Sequence, residues 1–135
     1  DLGGLTLETV SLRGHTQGSV GLICREDRIL FSGDGANTHI WMQLSESTSL
    51  GALQRTLETL LREHGGEFDY ILTGHGKGLE DIERVRELLR ACGDMLDGDT
   101  QNDLPYTYFA GECLAHPFGP DNQSRVVYAK DKLAP

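Results

Sequence analysis

Apolar positions in the first third of the chain fall in short runs separated by polar turns. Leu5, Leu7 and Thr9 alternate with Thr6, Glu8 and Val10, a spacing compatible with a strand. A glycine- and serine-rich turn at 14–18 leads into an apolar run at 19–24, which reads as a second strand. Residues 25–28 are a polar hairpin turn, and 28–31 form a third, buried strand that ends at Ser32-Gly33-Asp34-Gly35. Residues 36–47 read as a loop.

The period then changes. Thr48 or Ser49 can cap a helix, and Leu50, Leu53, Leu57, Leu60 and Leu61 make one apolar stripe running to about His64. Gly65-Gly66 stops it. Residues 68–73 read as a short strand. Leu79, Ile82, Val85, Leu88, Leu89, Cys92 and Leu96 share a second helical face, which predicts a helix over 79–96. The chain is loop-like at 98–105. Late strands are expected at 106–114 and 125–129, joined by a Pro/Gly/Asn loop at 117–124. The class this predicts is α/β, with both helical stripes buried as core.

At 135 residues, 38% of them hydrophobic, the chain is one domain or part of one and is folded rather than disordered. A formal net charge of −9 disfavours non-specific binding to nucleic acid or an anionic membrane. Cys24, Cys92 and Cys113 are odd in number, far apart and form no CxxC pair, which favours a reduced, cytoplasmic setting over a disulfide framework. Cys24 and Cys92 read as small core residues. No signal peptide is visible, and no apolar run approaches the ~20 residues of a membrane span. The chain opens at Asp1, without a methionine and inside a strand-like pattern, as a fragment, a processed product or a piece of a reading frame would.

Three residues share one context. His15, Asp34 and His75 each stand at or just after a strand end, flanked by glycine: Arg-Gly-His, Ser-Gly-Asp-Gly and Thr-Gly-His-Gly. Loops at one end of a sheet gather functional groups in α/β folds. Neutral imidazole and carboxylate are donors that zinc, iron and manganese accept. Each motif alone also serves as an ordinary turn.

Together and in this order, Gly14-His15-Thr16-Gln17-Gly18-Ser19, then Ser32-Gly33-Asp34, then Tyr70-Ile71-Leu72-Thr73-Gly74-His75-Gly76 resemble the metallo-β-lactamase-fold superfamily. The resemblance implies an αββα sandwich. It implies that His15 binds one metal, that His75 binds the other, and that Asp34 bridges them as the catalytic carboxylate. The superfamily's HxHxDH string occurs nowhere in these residues. The expectation is therefore the C-terminal portion of such a domain over 1–135: half of the sandwich, a mixed sheet with two amphipathic helices.

The implied cofactor is zinc, as one or two ions, with iron or manganese as other candidates. The implied reaction is hydrolysis of a small-molecule ester, thioester, lactam or phosphodiester by the complete enzyme, the isolated chain being incomplete. The alternative is a non-catalytic half-fold serving as an interaction or structural module. Self-association, or packing with a missing N-terminal half, is expected because half a sandwich leaves apolar sheet surface open. Asn37 and His39, shortly after Asp34, are candidate pocket residues. His64 reads as a helix-end histidine, His116 as a loop residue and Lys77 as an exposed lysine able to meet a substrate anion.

Overall fold

The computed structural model describes residues 2–75 and 78–135. Asp1, Gly76 and Lys77 lie outside the described residues, and with them the expectation for Lys77.

The opening strands are β1 (Leu7–Ser11), β2 (Val20–Cys24) and β3 (Ile29–Gly33), joined as an antiparallel meander. After β4 (His39–Met42) come α1 (Leu50–His64), β5 (Tyr70–Thr73), β6 (Leu79–Asp81) and α2 (Glu83–Leu96). β7 (Leu104–Tyr108), β8 (Gly111–Phe118) and β9 (Ser124–Tyr128) complete the sheets. One sheet has the order β1-β2-β3-β5-β6 and the other β4-β9-β8-β7. Each is mixed, since β3 and β5 run parallel, as do β4 and β9. The fold is α/β with two amphipathic helices, and the mixed sheet of the sequence reading is resolved into two.

One hydrophobic core draws on both sheets and both helices. Ile23, Leu30 and Ile71 lie side by side across β2, β3 and β5 and are buried. Leu50, Leu53 and Leu57 of α1 meet them with Val85, Leu88 and Cys92 of α2, and Ile40, Met42, Val126 and Tyr128 enter from the second sheet. Ser49 caps α1, its side chain accepting from the Ala52 amide. Cys24 and Cys92 are both buried, and burial pushes the Cys92 thiol up to about 12.

The opposite face of the five-stranded sheet is different. Thr9, Leu22, Phe31, Leu72 and Leu79 are in register across all five strands. With Val20 and Tyr70 they form an apolar surface on which Val20 is 62% exposed and Leu79 55%.

Four elements differ from the sequence reading. Residues 39–42 form β4 rather than loop; its partner β9 lies 86 residues on, and so distant a pairing leaves no hairpin signal. Leu79 is on β6, not on α2. Its spacing to Ile82 is helical, but Asp81 Oδ1 accepts from the Glu83 amide at 2.8 Å, the bond of a helix cap, and sets the helix start beyond it. The stretch read as one strand at 106–114 is a hairpin that turns at Phe109-Ala110, with Gly111 at φ +140°, and its first strand includes Leu104 and Pro105 from the expected loop. Proline is tolerated there because β7 is an edge strand. His116 lies on β8, only 7% exposed, rather than in a loop.

Candidate metal centre

Adjacent parallel strands end at the same edge of their sheet, so β3 and β5 deliver Asp34 and His75 to one place. The register slips between Phe31 and Gly33, an irregularity that re-aims the residues following β3. Gly33 has φ +53°, a conformation that glycine adopts at little cost. The Gly74 amide donates to Gly33 O at 3.0 Å and holds the two loop starts together. The result brings His75 Nε2 to 3.1 Å from Asp34 Oδ1. Asp34 Oδ1 is buried and receives no hydrogen bond of good geometry. The short approach is therefore a distance relationship rather than a well-aligned bond.

His15 comes from the β1–β2 loop and is fixed on both sides. Thr48 N donates to Gly14 O at 2.9 Å, and Ser47 Oγ donates to His15 O at 2.7 Å. Thr16 and Ser19 close the loop through their hydroxyls, 2.8 Å apart. A Cβ added at Gly14 would stand 2.5 Å from Leu53 Cδ1, so glycine is what lets this loop lie on α1. The His15 ring donates through Nδ1 to Trp41 O at 2.7 Å, which leaves Nε2 as the unprotonated nitrogen.

His15, Asp34 and His75 line one cavity of about 660 Å³ together with His39, Trp41, Leu44, Glu46, Tyr106 and Phe109. His39 opens β4, its amide donating to Asn37 Oδ1 at 3.2 Å. Asn37 itself is buried. Burial, then the charges of Arg125 and His75, lower the His39 pKa below its ordinary value. His64 sits apart at the end of α1 beside Glu67. His116 donates to Asp103, away from the cavity.

The donor set fits a metal ion in part. Two donors bound at about 2.0–2.1 Å in a tetrahedral site lie about 3.3 Å apart, close to the Asp34–His75 separation. A metal-binding histidine normally donates its other nitrogen to a carbonyl or carboxylate, as His15 does to Trp41. Among the described residues, no group of three His, Cys, Asp or Glu side chains is arranged to hold one ion.

The aromatic lining was not read from the sequence. Trp41 lay in an apparent loop, and Tyr106 and Phe109 lay 65 or more residues away in a segment read for strand period alone. The sequence offers only the two-residue spacing of His39 and Trp41, which on a strand puts both on one side of β4.

No protein-family model matches the chain, and no curated protein does. Solved structures do. A crystal structure of the metallo-β-lactamase DIM-1 matches with a TM-score of 0.53 and 22% identity, over 64% of this chain and 41% of that one. A double mutant of the sec-alkyl sulfatase PisA1 matches with a TM-score of 0.54 and 19% identity, over 73% of this chain and 17% of that one. The chain thus spans well under half the length of these structures.

Proposed function

The chain has the metallo-β-lactamase fold over part of that fold's length, and we propose that it is the metal-binding C-terminal portion of a hydrolase. Asp34 and His75 would share one ion, and His15 would serve a second through Nε2, with Asp34 between them. Zinc suits these oxygen and imidazole donors; iron and manganese suit them as well. A bound zinc would lower the pKa of its water towards ~7 and would polarise the bond to be cleaved.

The chain's own residues have three tasks. Asp34 holds position through the bulged end of β3, Trp41 O fixes the His15 tautomer, and the aromatic wall screens one side from water. The substrate is a small molecule with an ester, thioester, lactam or phosphodiester bond. The single observation that carries this reading is the buried, unbonded Asp34 Oδ1 3.1 Å from His75 Nε2. The test is zinc per chain by elemental analysis for the wild type, Asp34→Ala and His75→Ala. Equal zinc in all three overturns the assignment.

A second reading is favoured by the open sheet face: the chain works in contact with more protein, either further polypeptide or a second copy. Phe31, Leu72 and Leu79, aligned across three strands, support it. The three unpaired cysteines support a reducing compartment such as the cytoplasm. Among the described residues, no helix is long and apolar enough to cross a membrane.

A further inference from the structure

Four aromatic rings stand beside the proposed metal centre. Trp41 is their hub: its ring centroid lies 6.4 Å from Tyr106, 6.0 Å from Tyr108 and 6.3 Å from Phe109. The first two contacts are edge-on, at 78° and 70°, whereas Phe109 is tilted only 36° from the indole plane. Tyr108 also contacts Phe109, edge-on at 5.4 Å, so that these two rings and Trp41 form a triangle. Phe109 nevertheless remains 85% exposed at the tip of the β7–β8 hairpin.

A lone exposed phenylalanine needs no explanation. This one continues a concave wall. Trp41, Tyr106, Phe109 and Leu44 line the same cavity as His15, Asp34 and His75. Among the described residues, no lysine or arginine lines it, and Glu46 adds a negative charge. The charged complement is on the other side. His39 and His75 also border a second cavity of about 520 Å³, polar in character, with Arg84, Arg125 and Glu80 in its wall. The two histidines therefore separate an aromatic compartment from a polar one that includes Arg125.

We propose that the aromatic compartment is a binding site for a flat, uncharged aryl group, and that the substrate is an ester-class molecule bearing one. Its aryl end rests on Trp41, Tyr106 and Phe109, and its polar end faces Arg125. The aryl group gains offset or edge contacts with the exposed ring faces, and an anionic group there meets Glu46 in a wall that, among the described residues, holds no lysine or arginine. Calling this group part of a substrate rests on the hydrolase reading above; the aryl site itself does not require a metal.

Trp41 is the chain's one tryptophan, so its fluorescence reports on this site alone. The experiment titrates the 135-residue chain, free of added metal, with N-benzylacetamide and, separately, with N-methylacetamide. These are neutral amides that differ in the aryl group. The expected result is a saturable change in Trp41 emission with the benzyl compound and none with the methyl compound over the same range. Phe109→Ala and Tyr106→Ala should each weaken the benzyl constant about three- to tenfold. His64→Ala, beside Glu67 and outside this cavity, should leave that constant unchanged. No saturable change in the wild type, an equal response to both amides, or unaltered constants in both aromatic variants overturns the proposal. Benzyl binding together with equal zinc in the wild type, Asp34→Ala and His75→Ala overturns the metal-site reading and leaves the aryl site standing.

Discussion

His75 Nε2 lies 3.1 Å from Asp34 Oδ1 because the strands that precede them, β3 and β5, are parallel neighbours. Forty-one positions of sequence are closed by one register. Zinc bound between these two residues loses a donor in either alanine variant. We expect weak, substoichiometric zinc in the isolated chain, since each ion would have only two of the three or four donors usual for zinc. Asp34→Ala should remove it, with affinity falling by more than the roughly 10–100-fold that loss of a supporting contact costs. His64→Ala, beside Glu67 and outside the cavity, should leave zinc unchanged. Isothermal titration with zinc checks all three.

Gly14 gives a test of how the His15 loop is held. Its position against Leu53, a fully buried residue of α1, leaves no room for a methyl group. Gly14→Ala should destabilise the chain by about 1–3 kcal/mol, the usual cost of overpacking a core. It should also disturb the His15–Trp41 hydrogen bond, so Trp41 emission should shift at denaturant concentrations well below the unfolding midpoint. A urea titration followed by circular dichroism and by fluorescence separates the two effects. Coincident curves and an unchanged midpoint would count against the packing argument.

A buried polar trio lies elsewhere. Tyr128 Oη donates to Asp103 Oδ2 at 2.5 Å, and His116 Nδ1 donates to Asp103 Oδ1 at 2.7 Å. Burial first, then the bond to Asp103, raise the Tyr128 phenol above its ordinary value of 10.0. The folded chain therefore keeps this proton after the unfolded chain has released it. The stability contributed is full below pH 10 and is lost as pH rises through the folded-state value. Urea midpoints measured from pH 8 to 11 should fall at the alkaline end, and Tyr128→Phe should remove that part of the slope. The variant should also cost about 1–3 kcal/mol near neutrality, because Asp103 Oδ2 loses its donor.

The strands and helices legible in the sequence were those with local signals. The 3.6 period of Leu50, Leu53 and Leu57 and the Ser49 cap announced α1, and glycine-flanked strand ends pointed to His15, Asp34 and His75. What escaped was set by distant partners. β4 exists through pairing with β9, and β6 through pairing with β5 and a cap at Asp81. The Phe109-Ala110 turn carries none of the Asn-Gly chemistry that marks tight hairpins. The aromatic wall depends on both β4 and the β7–β8 hairpin, so no single window of sequence contained it. His116 looked like a loop residue because Pro117 follows it; on β8 that proline faces Arg125 of β9 and the strand continues through it.

The last prediction concerns the open face of the five-stranded sheet. Leu22, Phe31, Leu72 and Leu79 run across it in register, and Val20, Phe31, Tyr70 and Leu79 are exposed. An apolar surface of this continuity, rather than scattered single residues, is what favours association. In the isolated chain the available cover is a second copy, so sedimentation velocity at micromolar concentration should show dimers or larger species. Phe31→Glu combined with Leu79→Glu should return the chain to monomer, since each places a like charge on the face of a chain already at −9. Both side chains point away from the core, so circular dichroism and the urea midpoint should change little, within about 0.5 kcal/mol each. A wild-type chain that sediments as a monomer across this range, with no gain in association at high salt, would show that the face is tolerated bare. The reading of this chain as a unit needing further protein over that sheet would then fail.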